Sequence, residues 1–195
     1  MKNRIILILA LMLCTVSALA QSDGSQRFSI RLGAGLPGSG TEYFTNGTNQ
    51  ITYGLEAIYG DYTSDLKASP ALSAEVYYLY SDVFRFGVDL VYGTYSNQII
   101  DGLTDQPKRT RSGQSFIVLP TAAVNYYHKG GLKLYIALGA GVGYYAGFDT
   151  MQNKLAFNVQ FTPVGVEYGR KLFVFAEAGL GTAVNWLRGG VGYRF

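Results

Sequence analysis

The sequence predicts an all-β fold, an eight-stranded antiparallel up-and-down β-barrel that crosses a membrane. The dominant hydrophobic period along the 195 residues is two, the period of strands, rather than 3.6. Eight alternating runs can be traced, and an even number lets both ends of a closed barrel lie on one side. Charged residues make up only 15% of the chain, whereas it contains 25 glycines and 16 tyrosines. This composition is typical of a sheet that is apolar outside and tightly filled inside.

The amino-terminal segment is predicted to be a secretory signal peptide. Lys2 and Arg4 give it a basic start, an apolar run extends from Ile5 to Leu13, and Ala18-Leu19-Ala20 is a small-residue cleavage site. The apolar run is shorter than the roughly 20 residues that a spanning helix needs. The chain is therefore expected to be exported and cleaved.

Cleavage after Ala20 divides the chain into residues 1–20, the signal peptide, and residues 21–195, a single barrel domain. The mature part then lacks cysteine, because the only one is Cys14. A lipoprotein leader that ends at Cys14 is the alternative, but Leu13 is large where lipidation requires a small residue. Loss of the two basic leader residues leaves 14 basic and 13 acidic residues, a net charge of +1. Such a balance argues against nucleic-acid binding.

Four alternating runs form the first half of the predicted barrel. Apolar residues at every second position point outward, and small, polar or charged residues alternate with them. The runs are Phe28–Leu36, Leu72–Tyr80, Phe84–Tyr92 and Phe116–Tyr127. Only a short turn around Ser81-Asp82 separates the second run from the third, as in a tight hairpin.

Four further runs complete the barrel. They are Leu132–Tyr144, about Lys154–Tyr168, Leu172–Leu180 and about Val184–Phe195. The first of these is the clearest, since glycine, alanine, tyrosine and lysine alternate strictly with larger apolar residues. The facing of the next run is left open around Pro163, where a bulge is one interpretation.

The connections alternate in length, as in outer-membrane barrels. The long connections are Pro37–Ser69, Ser96–Gly113 and Ala146–Asn153, and the short ones lie near Ser81-Asp82, His128–Gly131 and Gly169-Arg170. The link between the last two strands is a short exception. The strand count becomes ten if Ile51–Tyr62 pairs as a hairpin arm.

Outward-facing aromatic residues lie near both ends of the predicted strands. Those near the short turns or the carboxy-terminus are Tyr80, Phe84, Tyr126, Tyr168, Tyr193 and Phe195, and those toward the long loops are Tyr92 and Tyr144. The interval between Phe84 and Tyr92 corresponds to about 20 Å across the membrane, close to the ~25 Å apolar band of such barrels.

Charged residues fall on the opposite, inward face. They are Arg31, Glu75, Arg85, Asp89, Lys133, Glu177, Arg188 and Arg194. A hairpin turn at Thr182-Ala183 brings Arg188 about opposite Glu177, where a charge pair would satisfy otherwise buried groups. A structural role is favoured over an ion path, because side chains nearly fill an eight-stranded interior.

Motifs for catalysis, cofactors and metals are weak. Gly33–Gly38 matches the G-x-G-x-x-G pattern, but no helix follows it to bind a phosphate. His128 is the sole histidine, in a short turn without a nearby serine, so an activated nucleophile is not expected. Calcium bound by acidic residues of the long loops stays an alternative, although their spacing matches no EF-hand loop and a solvated charged loop is the default interpretation. The sequence therefore predicts no catalytic, cofactor or metal site and no enzyme. The acidic loop residues considered for calcium are Asp61, Asp65, Asp101 and Asp105.

With these residues in place, the chain resembles the small outer-membrane β-barrel family of Gram-negative bacteria, which includes the OmpA-type transmembrane domain and the porin-like OmpX relatives. The resemblance is carried by the leader ending Ala20-Gln21, by Gly139–Gly143 and above all by the terminal Gly192–Phe195. It implies insertion by the barrel assembly machinery, which reads the last strand. The expected assembly signal is Val191, Tyr193 and Phe195.

The expected function is that of an integral outer-membrane protein, structural or surface-binding, with adhesion or ligand capture through extracellular loops. We expect the protein to contact outer-membrane lipids and lipopolysaccharide. A basic stretch in the second loop would contact the lipopolysaccharide. The extracellular ligand is unknown. A small-solute pore is the first alternative, and a lipid-modifying enzyme using His128 is the second. A soluble β-sandwich is the structural alternative, opposed by the aromatic belts. The basic stretch comprises Lys108, Arg109 and Arg111, and the first loop is rich in aromatics at Tyr43, Phe44, Tyr53, Tyr59 and Tyr62.

Overall fold

The computed structural model describes residues 27–37, 62–63, 67–100, 106–146 and 154–195. These residues form eight barrel strands and two short extended segments, Tyr62–Thr63 and Lys67–Ala68. The strands are β1 (Phe28–Pro37), β2 (Ala71–Leu79), β3 (Phe84–Ile100), β4 (Pro107–Lys129), β5 (Leu132–Ala146), β6 (Lys154–Gly169), β7 (Leu172–Gly181) and β8 (Val184–Arg194).

The sheet closes on itself. Each strand pairs antiparallel with the next, and β1 pairs with β8 as well as with β2. At this seam Ile30 lies opposite Tyr193, and the Phe195 N–H donates to the carbonyl oxygen of Phe28 at 2.9 Å. The predicted fold class, an eight-stranded antiparallel up-and-down barrel, is confirmed.

The two ends of the barrel differ. The turns that follow β2, β4 and β6 lie at the same end as the start of β1 and the end of β8, and we refer to it as the short-turn end. The opposite end is the loop end. At the short-turn end, Gly130 adopts a φ of +64°, a left-handed conformation that a side chain rarely allows. The residues that the structure describes contain no helix long and apolar enough to cross a membrane.

Apart from the bulges, buried and exposed positions alternate along the wall, as the sequence predicts. Along β7, for example, Phe173, Phe175 and Glu177 are buried, whereas Leu172 and Val174 are exposed. Glycines on the inward face make room for the large lumen side chains. A Cβ added to Gly165 would overlap the ring of Tyr135, and one added to Gly192 would overlap Phe173.

One predicted loop is a strand pair instead. Residues Ser96–Gly113 were expected to be a long connection, but β3 and β4 continue in register through most of it, with Ser96 opposite Ser112 and Ile100 opposite Pro107. The prediction was wrong because it relied on apolar alternation. Beyond Tyr92 the outward positions become polar, so the alternation fades while the backbone pairing continues. A strand outside an apolar medium does not need an apolar face.

The short segments add no barrel strand. Tyr62–Thr63 and Lys67–Ala68 both pair with the loop-end half of β3, and β1 pairs directly with β2. The barrel wall therefore has eight strands. Nearly all of the segment that could have raised the count to ten, Ile51–Tyr62, lies outside the described residues.

A bulge in β6 settles the facing that the sequence leaves open. The register with β7 shifts between Phe161 and Val164, so Pro163 and Val164 are both exposed on the outer surface. Proline lacks an N–H for the strand ladder, which makes a bulge its natural place in a sheet. The alternation then resumes in the opposite phase, and Glu167 faces inward.

The fit between Tyr135 and Gly165 yields a stability prediction. Gly165→Ala is expected to lower the free energy of unfolding by about 1–3 kcal/mol, because the new methyl group overlaps the buried ring. Gly131→Ala is the matched control, since its added Cβ would meet backbone atoms of Gly169 only at ordinary contact, 3.4 Å. Denaturant titrations of both variants measure the difference, and equal losses would contradict the packing argument.

Candidate functional site

The candidate site is the barrel lumen, because the charged residues converge there. All eight sequence-predicted lumen charges lie inside the wall, and the most exposed of them, Lys133, is only 8% exposed. They are Arg31 on β1, Glu75 on β2, Arg85 and Asp89 on β3, Lys133 on β5, Glu177 on β7, and Arg188 and Arg194 on β8. They face inward because successive side chains of a strand point to opposite faces of the sheet, and apolar residues occupy the outward positions.

Sequence reasoning missed one essential member, Glu167. It lies on β6 beyond the Pro163 bulge and is fully buried. If β6 were regular, Glu167 would be predicted to face outward. The signal that identifies it is Pro163 itself, because counting one extra residue there restores the inward phase of Glu167.

Arg31 is the hub of the lumen. Its Nη1 donates to the Tyr135 hydroxyl at 3.0 Å and to Oε1 of Glu177 at 3.1 Å, and it lies 3.5 Å from Oε2 of Glu75. Its Nη2 donates to Glu167. One guanidinium on the first strand therefore contacts side chains on β2, β5, β6 and β7.

Arg188 organises the half of the network nearer the loop end. It lies opposite Glu177 in the register of the last hairpin, and its Nε and Nη2 donate to Oε2 of Glu177 at 2.8 and 2.5 Å. Its Nη1 donates to Asp89 and lies 3.4 Å from Oε1 of Glu75. Three carboxylates thus surround this guanidinium, two of them on neighbouring strands β2 and β3.

Glu167 organises the half nearer the short-turn end. Its Oε1 accepts from both Arg31 and Arg85, and its Oε2 accepts from Arg194. Arg194 also donates to the carbonyl oxygens of Arg170 at 2.5 Å and Gly169 at 3.3 Å, which ties the end of β8 to the β6–β7 turn. A single carboxylate is here shared among three arginines.

Aromatic rings separate the ion pairs and cover the guanidinium faces. The Arg85 guanidinium lies 4.0 Å from the ring centroid of Tyr135, and that of Arg194 lies 4.1 Å from the centroid of Phe173. Arg31 is within 5.0 Å of the centroids of Tyr77, Tyr135 and Phe175. Such contacts stabilise desolvated cations. The Tyr135 hydroxyl in turn donates to Oε1 of Glu177 at 2.5 Å.

The loop-end half of the lumen is filled by neutral side chains. An apolar cluster there includes Val91, Ile117 and Leu119, each at most 3% exposed. Beside it the Tyr145 hydroxyl donates to Oδ1 of Asn158 at 2.8 Å, and Thr182 bonds the same oxygen. The lumen is therefore occupied by charged side chains near one end and by neutral ones near the other.

The remaining predicted residues have separate places. Val191 and Tyr193 are exposed on the outer surface of β8, and the rings of Tyr193 and Phe195 are in edge contact with centroids 5.0 Å apart. Their role as an assembly signal stays a prediction. His128 is exposed at the end of β4, and its lack of a catalytic role also stays a prediction. In the part of the chain that the structure describes, no group of three or more His, Cys, Asp or Glu residues is placed to hold a metal ion.

Most of the loop residues that the sequence singles out lie outside the described residues. The four loop acids and the first-loop aromatics other than Tyr62 lie outside the described residues. Lys108, Arg109 and Arg111 belong to β4 by their backbone, but their side chains are likewise outside what the structure describes.

Fold and site together define a class: a closed, eight-stranded antiparallel barrel whose lumen is filled by paired charges and aromatic rings. Among solved structures, the chain is similar to the N-terminal β-barrel domain of OprF from Pseudomonas aeruginosa, with 14% sequence identity and a TM-score of 0.49. The match covers 89% of this chain and 100% of that domain. No protein-family profile matches the sequence, and no curated protein is significantly similar to it.

Substitution of Arg31 is expected to destabilise the folded protein strongly. Arg31→Met is expected to lower the free energy of unfolding by about 3–5 kcal/mol, because Glu167, Glu177 and Glu75 lose a shared buried partner. Adding Glu177→Gln to this variant should recover part of the loss, since one uncompensated charge disappears. Arg170→Met, at an exposed turn position, is the control and should cost less than about 0.5 kcal/mol. Equal losses for Arg31→Met and the control would contradict the network.

Proposed function

We propose that the protein is an integral outer-membrane β-barrel protein, with a structural or surface-binding role and a lumen closed by its own side chains. The observation that carries this proposal is the outer wall. Apolar side chains cover it on all eight strands, while the arginine, aspartate and glutamate side chains of the network point inward. Representative exposed residues are Leu32, Val76, Phe86, Val118, Leu138, Phe157, Val174 and Leu187. Only an apolar solvent makes this arrangement favourable over so large a surface.

Aromatic residues at the two rims support a membrane position. Tyr80, Tyr126 and Tyr168 are more than half exposed near the short-turn end. Tyr144 is exposed toward the loop end, where Tyr92 packs against Phe116 with ring centroids 4.8 Å apart. Tyrosine prefers the boundary between hydrocarbon and water, because its ring is apolar and its hydroxyl is polar.

The filled lumen favours a structural or binding role over conduction. Arg31, Arg188 and Glu167 each make several ion pairs across the barrel interior, and Leu119 and Tyr77 are at most 1% exposed. A hydrated solute would have to displace these pairs. Steady conductance by the purified protein in a planar bilayer would favour the pore alternative instead.

The loop end supplies surface for binding an external ligand. The β3–β4 hairpin stays paired from Tyr92 to Ile100, whereas the pairing of β4 with β5 ends at Gln114. Thr94 lies opposite Gln114, so the hairpin continues for six residue steps beyond the end of the β4–β5 pairing, which corresponds to about 20 Å. A paired hairpin of this length gives the loops a rigid support, which suits adhesion or ligand capture.

The membrane position can be tested with one substitution on the outer wall. Leu138 lies at the centre of β5 and is 55% exposed. In phospholipid vesicles, Leu138→Arg is expected to lower the free energy of unfolding by about 2–4 kcal/mol, whereas Tyr80→Arg at the short-turn rim should cost about 0–1 kcal/mol. Denaturant titrations of the vesicle-bound variants measure both. A water-soluble barrel would tolerate both substitutions, so similar small losses would contradict a transmembrane wall.

The location can be tested in cells. The protein is expected in the outer-membrane fraction, without its first 20 residues, and to migrate differently on a denaturing gel before and after boiling. Mass spectrometry of the mature amino-terminus checks cleavage after Ala20. Recovery in the soluble periplasmic fraction would contradict the proposal and favour a soluble β fold.

A further inference from the structure

The short-turn end of the lumen opens into a wide, solvent-accessible depression. Turn residues line its rim, and two cationic side chains of the lumen, Lys133 and Arg194, form part of its floor. Arg27 and Arg170 add positive charge at the rim, and Asp82 is the one acidic residue in the lining. We call this depression the basic mouth, because its described lining holds four cationic residues and one acidic residue, whereas the mature chain is almost neutral.

Lys133 is the informative member. It is 8% exposed, and it has no hydrogen bond or ion pair with any residue that the structure describes. Its cross-strand neighbour on β6 is Glu167, the carboxylate that would ordinarily pair with it. Both oxygens of Glu167 are already bound by Arg31, Arg85 and Arg194. Neither Glu167 nor Asp82 forms a close ion pair with Lys133, so its ammonium group remains open to the depression, where an anion from outside can reach it.

We propose that the basic mouth binds a phosphate group. Lys133 supplies a compact cation with three free donors at the floor, and the exposed Arg170 supplies a planar fork at the rim. This combination fits a tetrahedral oxyanion with several acceptors. Arg194 contributes its field but fewer free donors, since Glu167 and two carbonyl oxygens occupy its terminal nitrogens. The phosphate belongs either to a soluble compound or to a phospholipid headgroup beside the rim.

Binding is tested on the folded protein in micelles of a neutral maltoside detergent, which contains no phosphate. Inorganic phosphate is titrated in one arm and short-chain phosphatidylglycerol in the other, with calorimetry or backbone NMR shifts of Gly130 and Gly169 as the readout. Lys133→Gln and Arg170→Gln are each expected to weaken binding roughly tenfold, the loss of one charge-assisted hydrogen bond. Lys154→Gln is the matched control, because it removes the same charge at the loop end of β6.

The outcomes separate the sources of the phosphate. Saturable binding of inorganic phosphate that Lys133→Gln weakens supports a soluble ligand, and binding in the lipid arm alone supports a headgroup. Absence of binding in both arms, or equal weakening by Lys154→Gln, overturns the inference. A heat-dependent gel shift verifies that each variant is folded. The inference requires the folded barrel but not its location in cells, so it fails independently of the proposed function.

Discussion

Desolvation of the charges in the lumen is the constraint on which the rest of the structure depends. Moving one ion out of water costs several kcal/mol unless a close partner compensates it. The network meets this requirement with four arginines and four carboxylates, arranged so that each arginine touches at least one carboxylate. Aromatic rings of Tyr77, Tyr135 and Phe173 fill the space between them and exclude water. The outer wall between the two rims can be apolar because the charged side chains are accommodated in the lumen.

The same constraint fixes the strand register. The side-chain period of a strand is two, so a slip of one residue would turn every inward residue outward. A slip of β1 would expose Arg31 and at the same time leave Glu167 and Glu177 without it. Because Arg31 on the first strand contacts side chains on β6 and β7, and Arg194 joins β8 to the β6–β7 turn, the network lies across the closing seam. The ion pairs therefore specify how the barrel closes, whatever their net contribution to stability.

Much of this arrangement could be read from the sequence, because alternation reports directly on facing. It gave the eight barrel strands and the phase of residues such as Arg85 and Asp89. Alternation was misleading where a bulge interrupts the period of two, and where polar residues replace apolar ones at the outward positions. The bulge at Pro163 concealed Glu167, and the polar stretch after Tyr92 concealed the extension of β3 and β4. Contacts between distant strands, such as Arg31 with Tyr135, were beyond reach, since alternation gives a side chain's facing but not its height in the lumen.

The positive and negative side chains are not distributed evenly along the barrel axis, and their order affects which solutes could pass through the lumen. In the half of the charge network nearer the loop end, Glu75, Asp89 and Glu177 outnumber Arg188. In the half nearer the short-turn end, Arg85, Arg194 and Lys133 outnumber Glu167. Arg31 lies between the two layers and contacts both. An anion attracted to the basic layer meets the acidic layer next, and a cation coming from the short-turn end is repelled at once. Opposed layers of charge in a filled lumen would resist solutes of either sign, which agrees with the proposed non-conducting role and with the anion site proposed at the basic mouth.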